Sequence, residues 1–362
     1  MKQILCLASE PWSSSPGRTQ QLISRLKDTQ ILYFAPPSGR GDHSYQEKGR
    51  KVRPNITVYT LPPLLLPLEE RYTPRLFRAA RAKLGRFVAD KAARHRFTEP
   101  LLWTTNPEQV HLLDHLDYSG LVYDCDREWD DLPLVWEGSL AGAADVVFAA
   151  SQVLADRLAP CNPNVALLPN GVNYPLFADD TPRLDPLPGV TGPVFGWAGT
   201  LRPDVELSPL FYAAAEHPDW TFLLLGDSRQ HLQHGRLSRL PNVVLAGPCP
   251  LSEVPDWLHR CHVLLDFLRD DRADDGVISS RLYEYLSTGK PIVSMLWPDQ
   301  VEPYPDVVYG AHNEREFSQL CARALEEAPG FVSQRRRAHG AAASWPLRAE
   351  TIVRILSTAG LL

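Results

Sequence analysis

The chain is short of the features that mark several protein classes. Its six cysteines, Cys6, Cys125, Cys161, Cys249, Cys261 and Cys321, are scattered with no Cys-x-x-Cys pair. That spacing predicts neither a zinc site nor a disulfide framework, and it suits a reducing cytoplasm. Long apolar runs are missing: none approaches the roughly 18 residues that a membrane span needs, and residues 61 to 68 hold three prolines. The opening MKQILCLA has a lone Lys and is interrupted at Glu10 and Pro11, too brief for a signal peptide, so it reads as a first buried strand. Positive charge is not in excess either. A net charge of −6 gives no reason to expect nucleic acid as a partner, since duplex binders carry a basic balance. What remains is ordinary globular material, 44% hydrophobic and 22% charged over 362 residues, enough for two cores rather than one.

Periodicity and turn residues predict alternating strands and helices. In the first half, strands are expected at 2 to 8, 31 to 35, 56 to 61, 101 to 104, 121 to 124, 146 to 149 and 165 to 168. Helices are expected at 18 to 27, 71 to 96, 134 to 143 and 151 to 158, the last capped by Ser151. Residues 38 to 53 read as an exposed polar stretch, and residues 178 to 192, rich in Pro and Gly, as a linker. The second half predicts strands at 194 to 197, 221 to 225, 243 to 246, 262 to 267, 292 to 296 and 307 to 309. Its helices are expected from about residue 203, within 280 to 289, and at 314 to 327, 332 to 343 and 345 to 356. Such alternation predicts an α/β chain of two doubly wound, Rossmann-like domains. The boundaries read from it are 1-175 for the first domain, 176-192 for the linker, 193-343 for the second domain and 344-362 for a closing helix.

The most informative stretch is residues 276 to 292, GVISSRLYEYLSTGKPI, a loop, a short charged helix and a buried strand. Ser279 or Ser280 can cap the helix with its hydroxyl, while Gly289 and Pro291 stop it. Leu282, Tyr285 and Leu286 are expected to face the core, which turns Arg281 and Glu284, three apart, to a neighbouring face. A helix N-terminus favours phosphate, a guanidinium forks onto a diphosphate, and a carboxylate can accept both hydroxyls of a ribose. One turn of helix can thus hold two parts of a sugar nucleotide. The same two residues also read as an ordinary surface pair.

Other loops carry candidates. Residues 198 to 202 form a small-residue loop after a strand, where backbone amides and Arg202 can approach phosphate. Gly226 and Asp227 end a strand and are expected to border a nucleobase pocket, although Gly226 also reads as a plain strand end. Residues 11 to 17 form the first strand-to-helix loop, with Gly17 allowing backbone approach and Arg18 at the helix start. Asp124-x-Asp126 after a strand matches a carboxylate pair that holds a divalent ion against phosphate. Contact with a sugar or an acceptor hydroxyl is the favoured reading of that loop, and no metal is expected.

SRLYEYLSTGKPIVS (280 to 294), together with NVALLPNGV (164 to 172), GWAGTLR (196 to 202) and HPDWTFLLLG (217 to 226), resembles the family 4 type glycosyltransferases of the GT-B fold. The likeness is greatest to bacterial members of teichuronic acid, capsule and exopolysaccharide assembly, and its four segments keep the family's order over most of the chain. The resemblance implies two domains facing each other across a cleft, an acceptor-side first domain and a nucleotide-sugar-binding second one. It implies metal-independent transfer of a sugar from a nucleoside diphosphate to a glycan or lipid-linked hydroxyl, with retention, and no cofactor beyond the donor itself. It assigns donor binding to Gly199, Thr200, Arg202, Gly226, Asp227, Ser280, Arg281, Leu282 and Glu284, with Glu284 on the ribose. Arg202 and Arg281 would stabilise the departing diphosphate and count, with Asp126, as catalytic candidates. Gly17, Arg18 and Asp124 would lie between acceptor and diphosphate. Two positions depart from the pattern: the Lys often found soon after Arg202 is absent, with Asp204 and Glu206 nearby, and Gly276 stands where many members have Glu, with Asp275 one residue away. A sugar-nucleotide 2-epimerase of the same fold and a non-catalytic nucleotide-sugar-binding scaffold remain rival readings.

From Arg71 to Arg96 the chain carries Arg71, Arg75, Arg78, Arg81, Lys83, Arg86, Lys91, Arg94 and Arg96 against Asp90 alone, with Leu76, Phe77, Leu84, Phe87 and Val88 between. This basic amphipathic pattern can lie on an anionic membrane, each cation contributing about 1 kcal/mol near the surface. A lipid-linked acceptor would call for that contact, in a cytoplasmic protein peripheral on the inner face of the plasma membrane. A solvated helix face gives the same pattern.

Overall fold

The computed structural model describes residues 2–36, 48–63, 70, 72–181, 190, 192–203, 205–267, 276–295, 304–328 and 330–362. The acidic loop expected at 269 to 275, much of the expected linker, most of the polar stretch 38 to 53, and Arg71, Asp204 and Leu296 lie outside the described residues. The chain divides into two compact units, Met1–Pro169 with Pro346–Leu362, and Asn170–Trp345.

The first unit is built on β1 (Lys2–Leu7), β2 (Thr29–Ala35), β3 (Arg50–Arg53), β4 (Ile56–Thr60), β5 (Leu101–Thr104), β6 (Gly120–Cys125), β7 (Val146–Ala149) and β8 (Val165–Leu167). They form one sheet in the order β3-β4-β2-β1-β5-β6-β7-β8. Neighbours pair in parallel except β3, which runs antiparallel to β4. Ile4, Leu5, Cys6 and Leu7 are all buried, as expected of a central parallel strand covered on both faces. The helix Gln152–Leu158 starts where Ser151 accepts the Leu154 amide at 3.1 Å, the cap its sequence predicts. Strand β3 falls in the polar stretch read as exposed, where no strand was expected. It is a short, charged, largely exposed edge strand, so no apolar alternation announces it.

The second unit carries β9 (Val194–Ala198), β10 (Thr221–Leu225), β11 (Val243–Gly247), β12 (Val263–Asp266), β13 (Ile292–Met295) and β14 (Tyr309–Ala311) in the order β11-β10-β9-β12-β13-β14, all parallel. Side chains alternate along β9 and β10. Phe195, Trp197, Phe222 and Leu224 pack into one core with Phe211 and Phe317, while Val194, Ala198, Leu223 and Leu225 join Leu282, Tyr285 and Leu286 in the other. The helix expected from residue 203 begins instead at Ser208, with Pro209 in its first turn, where its missing amide costs no hydrogen bond. A short helix, Tyr174–Ala178, lies near the start of the expected linker. The α/β fold of two parallel-sheet units is thus the one the alternation predicts.

Candidate functional site

In the second unit the helix Ser280–Thr288 buries Leu282, Tyr283, Tyr285 and Leu286 and ends at Gly289, whose φ of 76° is the left-handed conformation that suits glycine. Ser279 is its N-cap, but its side chain accepts no hydrogen bond from the first turn, so the expected hydroxyl cap is not formed. Two other contacts place the helix. The Ala198 amide donates to the Tyr285 hydroxyl at 2.9 Å, tying it to the end of β9, and Asn170 donates to the Ile278 carbonyl at 3.0 Å, fixing the entering loop.

Arg281 is held from three sides. Its Nε and Nη2 donate to Asp266 Oδ1 at 3.1 and 2.8 Å, its guanidinium carbon lies 5.2 Å from the centre of the Trp197 ring, and its Nη1 faces Gly199. Burial works against the Arg281 charge, and Asp266 together with Tyr285 and Glu284 more than offsets it, leaving the guanidinium firmly protonated. One turn on, Glu284 keeps partial access to solvent and makes no hydrogen bond or ion pair among the described residues. The surrounding protein pushes its carboxyl up to about 7, with Arg281 pulling the other way. A braced cation thus stands beside a carboxylate that has no partner among the described residues.

The Gly199 loop is built against this pair. The Gly199 amide donates to the Leu225 carbonyl at 2.9 Å and the Leu201 amide to the Asp227 carbonyl at 2.8 Å, so the ends of β9 and β10 are stitched together. Gly226 has φ of 127°, and a Cβ there would collide with the Gly199 carbonyl oxygen, which requires glycine twice over. Gly199, Thr200, Gly226, Asp227, Arg281 and Glu284 are therefore neighbours through these contacts. Ser280 opens the helix, Leu282 points into the core, and Arg202 is exposed on the loop. The Asp227 carboxylate is taken by Arg229, at 2.9 Å to Nε and 2.8 Å to Nη2, and its pKa falls below the usual carboxylate range. Asp266 and Tyr285, which position Arg281 and the helix, were not singled out for these roles in the sequence. Asp266 carries one weak signal, its place at the carboxyl end of a parallel strand.

In the first unit, Arg18 and Asp124 are turned on each other. Arg18 Nη2 and Nε donate to Asp124 Oδ1 at 2.8 and 3.1 Å, Nη2 also donates to the Leu168 carbonyl at 2.7 Å, and Asp124 is fully buried. The pair joins the ends of β6 and β8 to the helix Arg18–Ile23, whose N-cap is Gly17. Asp126 stands two residues on. Its Oδ1 is buried and accepts no hydrogen bond, with Arg127 Nε 3.4 Å away, and burial raises its carboxyl to about 6 against the pull of Arg127. Among the described residues no group of three or more His, Cys, Asp or Glu is placed to hold a metal ion.

The basic helix runs over Pro74–Arg94, and two of its cations do not face outward. Arg81 is buried in an ion pair with Glu108, and Lys91 is buried over the Phe87 ring at 4.8 Å. Arg75, Arg78, Lys83, Arg86 and Arg94 remain exposed. Close by, Phe77 stacks on Trp136 at 5.7 Å, which brings the exposed Tyr72 and Leu76 to the same region as the exposed Leu134 and Val135. Among the described residues no helix is long and apolar enough to cross a membrane.

No family model matches the chain. It is 27% identical over 252 residues to a Bacillus subtilis (strain 168) protein named teichuronic acid biosynthesis glycosyltransferase TuaH, a match that covers 62% of this chain and 63% of that one. The chain therefore spans less than two thirds of that relative's length. Solved structures share the fold at low identity. Sucrose-phosphate synthase from Thermosynechococcus elongatus has a TM-score of 0.75 at 14% identity, covering 99% of both chains. Trehalose 6-phosphate synthase from Burkholderia multivorans has a TM-score of 0.73 at 13%, again over 99% of each. Anabaena HepE, solved with UDP-glucose, has a TM-score of 0.71 at 16%, over 99% of this chain and 100% of its own.

Proposed function

We propose that this protein is a glycosyltransferase that moves a sugar from a nucleoside diphosphate to a hydroxyl of a glycan or lipid-linked acceptor. The observation that carries the reading is the arrangement of Arg281, braced by Asp266 and Trp197 with Nη1 toward Gly199, and Glu284 one turn along, which has no partner among the described residues. A fixed guanidinium suits a diphosphate, and a free carboxylate suits the two hydroxyls of a ribose. In the reaction the bond from the anomeric carbon to the β-phosphate oxygen breaks, a bond to the acceptor oxygen forms, and the acceptor proton leaves with the diphosphate. The leaving group gains negative charge, so a preorganised Arg281, with Arg202 on the neighbouring loop, lowers the barrier electrostatically and without a bound cofactor. The kinship to TuaH points to cell-surface polysaccharide as the product, and the HepE complexes make a uridine donor the first to try. Calorimetric titration with uridine, guanosine, adenosine and thymidine diphosphates, with and without magnesium, tests the site. One nucleotide should bind, and Glu284→Ala should weaken it about ten- to a hundredfold, the loss of a charged hydrogen-bond acceptor. Equal affinity in the variant would overturn the assignment.

The same proposal places the first unit on an anionic membrane through Arg75, Arg78, Lys83 and Arg86 and the exposed Tyr72, Leu76, Leu134 and Val135. Apolar side chains that insert beside cations that meet lipid phosphate suit interfacial binding. Sedimentation with vesicles should show retention on anionic lipid that drops with Leu76→Asp combined with Val135→Asp. Equal retention on neutral vesicles would sink the electrostatic part.

A further inference from the structure

The second unit has a separate basic cavity of about 320 Å³ at the other end of the helix Ser280–Thr288, lined in part by Asp180, His259, Lys290, Glu327, Ser333 and Arg337. Lys290 follows the helix by two residues and stands roughly 13 Å along the axis from Arg281, so the cavity is distinct from the candidate nucleotide site.

Its charges do not cancel internally. Glu327 is neutralised elsewhere: Arg336 Nη1 and Nη2 donate to its two oxygens at 2.5 and 2.7 Å, and the Tyr309 hydroxyl donates to it at 2.9 Å. Asp180, the more exposed carboxylate, is 3.2 Å from Arg337 Nη2, while Arg337 Nη1 donates to the Ala178 carbonyl at 2.7 Å. That leaves the half-buried Lys290, whose ammonium makes no hydrogen bond or ion pair among the described residues, and whose pKa is lowered by burial. Ser333 Oγ is likewise without a partner among them. His259 donates from Nε2 to the Phe177 carbonyl at 2.9 Å, and its Nδ1 has no hydrogen-bond partner among the described residues. Gly289 keeps this wall thin. A Cβ there would stand 2.6 Å from Ser333 Oγ and 2.8 Å from Arg337 Nε, and the residue's left-handed φ bars other side chains in any case.

A desolvated ammonium gains most from an anion. The fork of Arg337 is already committed to Ala178 and Asp180, so the available donors are a point-charge lysine and a hydroxyl, a set that can hold a tetrahedral phosphoryl group. The helix carbonyl end helps to hold the Lys290 cation. A volume of about 320 Å³ lies at the small end of small-molecule sites and leaves room beyond a lone phosphate. We infer that this cavity, built by Lys290, Ser333, His259 and Arg337, binds a phosphate group, free or carried on a small metabolite.

The test is calorimetric titration of the full chain carrying Arg281→Ala, which weakens phosphate binding at the nucleotide site, with inorganic phosphate and, separately, a hexose 6-phosphate. Saturable binding is expected. It should weaken about ten- to a hundredfold in Lys290→Met, the usual cost of losing a charged donor, and largely return in Lys290→Arg. Circular dichroism checks that each variant is folded, and recovery in the Arg variant separates a charge effect from misfolding. Tighter binding of the hexose phosphate identifies an organic ligand, and equal binding identifies the free anion. Absence of saturable binding by either probe, or binding unchanged in Lys290→Met, would overturn the site. Because Lys290 stands roughly 13 Å along the axis from Arg281, the loss in Lys290→Met and its return in Lys290→Arg are independent of the nucleotide reading.

Discussion

Glu284 shows how one side chain is set between stability and chemistry. Its carboxyl ordinarily titrates near 4.5 and is pushed up to about 7 in the folded chain, so the native state holds a proton that the unfolded chain gives up earlier. Stability attributed to this group is therefore full below about pH 4.5 and is lost as pH rises through about 7. Glu284→Gln, which stays neutral, should raise the melting midpoint at about pH 8 by a degree or more and converge with wild type toward about pH 5. Thermal unfolding at the two pH values checks it, and a variant that melts lower than wild type at the higher pH would show that the carboxylate is not strained. The same titration should act on function with the opposite sign. Deprotonation through about 7 supplies the ionised acceptor, so nucleotide affinity should rise with pH more steeply in wild type than in the Gln variant, where the ligand's own phosphate still titrates.

At the scale of elements, the helix Ser280–Thr288 is placed by one tyrosine as much as by its apolar face. Tyr285 is buried, and its hydroxyl is the acceptor for the Ala198 amide at the end of β9. Tyr285→Phe keeps the ring and removes that acceptor, leaving a buried amide unpaired, which costs about 1–3 kcal/mol. Denaturant unfolding should show a loss of that size, with weaker nucleotide binding because Arg281 rides on the same helix. Unchanged stability would mean that the amide finds another partner. The helix itself was legible in the sequence, since Leu282, Tyr285 and Leu286 recur at helical spacing and Gly289 marks the stop. The parallel strands were legible for a similar reason, as continuous apolar runs bounded by turn residues. What pattern could not show was the partner of each charge. Arg81 and Lys91 look like the rest of their basic helix, and the facing Glu108 and the Tyr59 ring of β4, which are tertiary neighbours, help to remove them from the surface. Arg18 and Asp124 likewise gave no sign of each other, because 106 residues of chain separate two groups that meet at 2.8 Å. Strand β3 escaped notice because an exposed edge needs no hydrophobic alternation.

For the whole molecule, the division of the chain into units does not follow sequence order. Val172 and Trp345 close the second unit on itself: the Val172 amide donates to the Ala343 carbonyl and the Trp345 amide to the Val172 carbonyl, each at 3.0 Å. Residues Pro346–Leu362 then belong to the first unit, with Ile352 and Leu356 fully buried. Deleting them removes at least two core side chains from that unit, each worth about 2–5 kcal/mol, against a total domain stability of about 5–15 kcal/mol. A chain ending at residue 345 should therefore lose the first unit's melting transition or shift it down sharply. The second unit, which keeps both sheet faces covered and its own terminal contacts, should retain its transition and its nucleotide affinity. Differential scanning calorimetry with and without the bound nucleotide separates the two, because only the unit that binds is shifted upward by ligand. Loss of both transitions together would mean that the units do not fold independently, and an unshifted first transition would mean that the last helix contributes little to the core it joins.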